Sequence, residues 1–155
     1  MINILNRRGD VLFTYPNANG LDFDGADLRH ATLKGAVLNG ASFVDADLSD
    51  ACLENGDLYW AILFRANLQR ANLRGALLMG CDLKEANLSH ADLTNANLGP
   101  DNMGGFTHLE GANLSSCKID GAILNGAIYD IATIFPEGFD PRDSNMTKRI
   151  RRHDT

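Results

Sequence analysis

Ala66-Asn67-Leu68-Gln69-Arg70-Ala71-Asn72-Leu73-Arg74-Gly75-Ala76 states one five-residue phrase twice and begins it a third time. The phrase is Ala-(Asp/Asn)-Leu-x-x, and it continues in both directions. From Phe23 to Met103 every fifth residue is apolar, giving 17 consecutive units. The frame then slips by one residue within Asp101-Asn102-Met103-Gly104-Gly105. It resumes at Leu109, Leu114, Ile119, Leu124, Tyr129 and Ile134, which brings the total to 23. Two residues before each apolar centre stands a small side chain, alanine in 17 of the 23, with Gly56, Cys81 and Cys117 among the substitutes.

Neither ordinary helix nor flat strand keeps such a pattern on one side. An α-helix turns about 100° per residue, so a five-residue spacing carries the leucines around the whole cylinder. In a strand, odd spacings alternate between faces. The leucines share a core only if the backbone turns in the same sense at every unit, as in a coil stacked on itself. Burying each central Leu or Phe contributes roughly 1.5–3 kcal/mol before chain entropy is set against it. The Asp or Asn before each centre points outward near a bend, where a short polar side chain can bond the local backbone. The acids are therefore scaffold first.

The runs Asp27-Leu28-Arg29-His30-Ala31, Asn67-Leu68-Gln69-Arg70-Ala71 and Asn72-Leu73-Arg74-Gly75-Ala76 resemble the pentapeptide-repeat family, and the resemblance covers roughly Leu21 to Ile134. It implies an all-β fold, a right-handed quadrilateral β-helix of about six coils with short capping segments. Residues 20 apart would then stack, at the ordinary strand spacing of about 4.8 Å.

Residues 1–20 are expected to form a hairpin-like cap, from Ile2–Leu5 and Val11–Tyr15 around a turn at Asn6–Asp10. Residues 21–134 form the repeat helix with its one-residue slip near 101–106. Residues 135–155 are read as a closing turn, Phe135 to Pro141, followed by a mobile basic tail from Arg142. With 155 residues, 45% apolar and a net charge of −6, the chain has no 18-residue apolar run for a membrane span and no charged-then-apolar leader. The expected location is the cytoplasm. Three cysteines without a Cys-x-x-Cys pair argue against a disulfide framework or a zinc site. Cys81 and Cys117 are expected inside, Cys52 outside.

No catalytic, cofactor-binding or metal-binding residues are assigned. His30 and His90 share a face but stand three coils apart, roughly 14 Å, too far to hold one metal. A filled coil offers no obvious cavity for a nucleophile, base and acid. The expectation is a non-enzymatic scaffold acting through protein contacts, with neither membrane nor direct nucleic-acid binding.

Two surface features break the pattern. The outward positions Val37, Val44, Tyr59, Trp60, Ile62, Phe64, Leu77 and Met79 are apolar where other units are polar, and they include the sole tryptophan. Clustered exposed aromatics mark contact sites, so these residues form a candidate patch for an unidentified protein partner or for self-association. The second feature is the irregular loop at the slip, with Asn102, Gly104 and Gly105 as candidate residues. An insertion must bulge outward so that the core can resume.

The family resemblance also implies an alternative, a DNA-mimicking binder of DNA gyrase like the quinolone-resistance members. Residues 21–134 carry seven Lys and Arg against 15 Asp and Glu, so 7 − 15 = −8. Duplex DNA of the same length, about 27 Å, carries roughly 16 charges. The chain has about half that density, and basic residues interrupt every acidic face.

Overall fold

The computed structural model describes residues 2–5, 11–15 and 21–150. Strands β1 (Ile2–Leu5) and β2 (Val11–Tyr15) pair antiparallel, with Ile2 opposite Tyr15. The turn expected between them, at residues 6–10, lies outside the described residues.

From Leu21 the chain is a right-handed quadrilateral β-helix. Each pentad makes one side, and its Asp or Asn position makes one parallel bridge to the residue 20 further on. The ladder on the first side climbs through Asp22, Ser42, Ile62, Asp82, His108 and Ile128. The bends follow from the same five residues. The alanine N–H donates to the carbonyl of the preceding apolar centre, as from Ala26 to Phe23 at 3.0 Å and from Ala71 to Leu68 at 3.0 Å. The residue between them in the fifth position has positive φ, the arrangement of a type II turn. The outward Asp and Asn side chains reinforce the bends. Asp47 Oδ1 accepts from the Ser49 N–H at 2.9 Å, and Asn72 Oδ1 from that of Arg74 at 3.1 Å. This is the local bonding that the pattern implied.

Leucines and alanines fill the interior. Leu28 to Leu98 are buried at every fifth position, Phe43 among them, and the alanine sites are closed to solvent through most of the column. Cys81 and Cys117 occupy alanine positions and donate to the carbonyls of Leu58 (2.9 Å) and Leu88 (2.8 Å). Burial pushes both thiols up, that of Cys117 to about 12, so neither is a nucleophile at neutral pH. Cys52 is half-buried.

Three expectations need correction. Met103 is not a core residue; it is 79% exposed. Bridges that span 20 residues below span 26 from Asp82 to His108, so the chain makes a six-residue excursion before the ladder resumes. Six is one pentad plus one, which is why counting in fives shows a slip of one and a spurious unit. Ile134 is also outside, 52% exposed, because the Asn113–Ile134 bridge spans 21 residues and Phe135 turns inward instead.

The third correction concerns the end of the chain. Residues 142–150 are not a loose tail. Strand β4 (Thr147–Lys148) pairs in parallel with β3 (Ile128–Tyr129), and Met146 is buried in front of it. Phe135 packs edge-on against Tyr129 at 5.4 Å and against Phe139 at 5.2 Å, closing the open end of the core. Residues 151–155 lie outside the described residues.

Arg149 ties this closure to the coil below. Its guanidinium donates to Glu110 Oε1 at 2.9 Å, and His108 Nδ1 stands 3.2 Å from the same carboxylate, which is 2% exposed. Burial pushes the Glu110 carboxyl up, but Arg149 and His108 outweigh it and hold the group below its ordinary value. Because the folded value is depressed, this contribution is present above the unfolded value near 4.5 and is lost as the pH falls through the folded one. Arg149→Ala leaves burial unopposed by its largest counterweight. It should cost about 1–3 kcal/mol near neutral pH and move acid unfolding to higher pH. Melting curves across pH 3–7, an interval of about four units spanning the carboxylate range, check this. An unchanged acid midpoint would count against the tie.

Candidate functional site

The fourth corner of the coil carries the sole tryptophan. Its bend residues stack as Asn39-Gly40, Tyr59-Trp60 and Met79-Gly80, and the fifth-position residues all have positive φ: 66° at Gly40, 59° at Trp60 and 72° at Gly80. Left-handed backbone is unfavourable for a bulky residue, so Trp60 holds its place against local preference. Its indole lies across Gly80. A Cβ at that glycine would come within 3.1 Å of Trp60 Nε1 and 3.2 Å of Cδ1.

One level higher the corner opens. After Leu98 the chain leaves the wall as the six-residue excursion and returns at Thr107, which takes an alanine position and donates its hydroxyl to Leu78 O at 2.8 Å. Asp101 shapes what lies between. Its N–H donates to Gly105 O at 2.9 Å, and its Oδ1 accepts the N–H groups of Met103 and Gly105, both at 2.7 Å. The resulting knot rests on the indole. A Cβ at Gly105 would stand 2.3 Å from Asp101 Oδ2 and 3.0 Å from Trp60 Cζ2.

Asp101 is buried, 8% exposed. Its Oδ2 has no hydrogen-bond partner of good geometry among the described residues. Burial raises the carboxyl pKa, yet the Gly105 and Met103 N–H groups outweigh it, helped by the side chains of Trp60 and Tyr59. The net shift is downward, and the group is an anion at neutral pH.

These residues frame an open groove of about 430 Å³, lined by Asn39, Gly40, Tyr59, Trp60 and Met103. The Tyr59 and Trp60 rings are 6.3 Å apart between centroids and inclined at 51°. Trp60 is 45% exposed. With its amide nitrogen turned to Asp57, Asn39 donates to that carboxylate at 2.6 Å, which places a second acid behind the groove.

The two candidate features of the sequence thus meet, through Trp60 and Gly105. The remaining patch residues do not form one surface with them. Val37 and Leu77 are exposed on one ladder, but Asp57 stands between them. Ile62 is exposed around the corner, with Ser42 and Asp82 as its ladder neighbours. Val44, Phe64 and Met79 are half-buried, and the Phe64 ring is covered by the Arg65 guanidinium at 4.8 Å. Of the loop residues, Asn102 and Gly104 are exposed and only Gly105 touches the tryptophan. Met103, Asp101, Asn39 and Gly80 were not among the candidate residues. Asp101 carried a signal, since it stands where the repeat calls for alanine.

Elsewhere several surface charges are paired along the stack. Arg65 reaches Asp45 one coil below at 2.7 Å, Arg70 reaches Asp50 at 2.8 Å and Lys34 pairs with Glu54 at 3.1 Å. Among the described residues no group of three or more His, Cys, Asp or Glu is placed to hold a metal, and no helix is long and apolar enough to cross a membrane.

A comparison with curated proteins finds no significant match. Among solved structures, alr5209, a pentapeptide-repeat protein from Nostoc PCC 7120, is 38% identical with a TM-score of 0.61, over 73% of this chain and 84% of its own. HetL, a pentapeptide-repeat protein of the cyanobacterium Nostoc sp. strain PCC 7120 involved in heterocyst differentiation regulation, is 31% identical with a TM-score of 0.56. That alignment covers 74% of this chain and 56% of HetL. The plasmid-mediated fluoroquinolone resistance protein QnrB1 is 16% identical with a TM-score of 0.46, a likeness that bears no functional argument. The family profile of pentapeptide repeats matches eight copies over residues 12–58 and 61–99, more than half of the sequence, and with these relatives it shows that the chain belongs to the pentapeptide-repeat family.

Proposed function

We propose that the protein is a non-enzymatic scaffold that works through protein contacts, and that the groove corner built by Tyr59, Trp60 and Met103 is where a partner or a second copy docks. One observation carries this reading. The sole tryptophan is exposed at a strained backbone position, beside a groove, and a six-residue excursion folds against it. Exposed aromatic anchors beside a concavity are the usual hot spots of protein interfaces. Three unpaired thiols suit a reducing compartment, and the cytoplasm is the proposed location.

The DNA-mimic reading is weaker, because several of the acids that would imitate phosphates, Asp45, Asp50 and Glu54 among them, are tied to arginines or lysines along the stack.

Met103→Glu tests the contact without touching the scaffold, since the side chain is almost wholly exposed. The variant should keep the wild-type circular dichroism and melting temperature. It should lose a partner retained by wild type in pull-down, or shift a wild-type oligomer to monomer in sedimentation, with a loss of about tenfold or more in affinity. A partner or oligomer held equally by both proteins would refute the reading.

A further inference from the structure

We propose that the corner groove receives a cation, and specifically the arginine side chain of an extended basic segment on a partner protein. The inference rests on the corner being a contact site and names what that site recognises.

Three observations point to a guanidinium. The first is the walls. Tyr59 and Trp60 converge at 51° with Met103 beside them, so two π-faces and a thioether bound one space. Aromatic faces attract cations, indole most strongly, and a planar guanidinium stacks on them while keeping its N–H edge free for a carboxylate.

The second is uncompensated charge. Asp27, Asp45, Asp50, Asp82 and Asp92 each have an arginine or lysine within 4.0 Å. Asp57 and Asp101 bond to the groove-lining residues Asn39, Tyr59 and Met103 and, like Asp22, Asp24, Glu85 and Asp120 elsewhere, have no ion-pair partner among the described residues. Among the described residues the Asp57 carboxylate is engaged by the neutral Asn39 amide and the Tyr59 N–H. Asp101 is engaged by backbone N–H groups and stays ionised beside the indole. An acidic or neutral occupant would leave that field unanswered.

The third is a precedent within the molecule. At the next corner, in the same two bend positions, Phe64 carries the Arg65 guanidinium over its ring at 4.8 Å while Asp45 accepts from it at 2.7 Å. Aromatic face plus carboxylate already holds an arginine there. At Tyr59-Trp60 the same elements stand around an open groove that no Arg or Lys lines among the described residues.

Because Trp60 is the sole tryptophan, its emission reads the groove directly. The full-length protein is titrated with a tetra-arginine peptide, and with tetra-lysine and tetra-citrulline peptides of equal length. The expected result is a saturable change in Trp60 emission with tetra-arginine, weaker binding of tetra-lysine and no saturation with tetra-citrulline, which keeps the shape and removes the charge. Raising the ionic strength from about 0.01 to about 0.15 M, which shortens the Debye length from about 30 to about 8 Å, should weaken binding by about threefold or more. Asp57→Asn, which still accepts the Tyr59 N–H, should weaken it by about three- to tenfold at an unchanged melting temperature.

Equal binding of tetra-citrulline, or of tetra-lysine, overturns the arginine assignment. So does a failure of every peptide to perturb Trp60 while Met103→Glu still abolishes partner binding, and in that case the contact reading itself survives. The salt titration uses only the wild-type protein, so the test stands even if the Asp57 variant misfolds.

Discussion

Phe43→Ala is expected to destabilise the lower coils by about 3–5 kcal/mol and to do so locally. Phe43 is wholly buried and stacks on Phe23 with centroids 4.9 Å apart and planes 12° apart, a pair that fills the core where other coils carry leucine. Truncation leaves a cavity, and the backbone cannot close over it without abandoning the ladder bonds from Phe23 N–H to Ser42 O and from Phe43 N–H to Ile62 O. In a solenoid each coil touches only its neighbours, so the lost energy stays with them. The amides of Phe23, Leu28 and Leu33 should lose hydrogen-exchange protection well before those of Leu88, Leu93 and Leu98. Uniform loss along the column would show that the coils melt as one body.

Gly105→Ala should have the largest effect at the groove. The added methyl group would overlap Asp101 Oδ2 and press on Trp60, and the carboxylate cannot swing aside without breaking both of its 2.7 Å bonds. Overpacking of this kind costs about 1–3 kcal/mol, and the cheaper escape is for the excursion to lift off the indole. Trp60 emission should then shift to the red, and exchange should accelerate at Met103 and Gly105 while Leu98 and Leu109 stay protected. Asn102→Ala, on the exposed side of the same knot, serves as the control. Unchanged emission in the glycine variant would mean that the knot does not lean on the tryptophan.

The core was legible because Leu68 and Ala71 stand in for every unit: a period of five admits one inward assignment, and the physics of burial selects it. What the period could not show is where the chain departs by a whole unit plus one. Met103 kept the apolar rhythm while leaving the wall, and counting in fives has no means of telling a side from an excursion. Ile134 and Phe135 pose the same difficulty at smaller scale, since adjacent apolar residues let a one-residue shift go unseen. Arg142 to Arg149 looked loose because the segment is basic and poor in apolar residues. Its order comes from one buried methionine, two backbone pairs and a carboxylate 39 residues earlier, and a composition carries none of these. The groove was half legible. Trp60 announced itself as an exception, but its junction with Gly105 spans 45 positions and depends on the fold-back of the excursion.

That fold-back also alters how the rod bears load. Coils that touch only adjacent coils peel one at a time when the ends are pulled, each releasing a similar length of chain. The knot at Asp101–Gly105 presses on a tryptophan two storeys below, past Gly80, and so fastens three storeys together like a rivet. Tension arriving from either end meets a segment that must yield as a block, and the Tyr59-Trp60 corner sits inside that block, shielded from fraying at both ends.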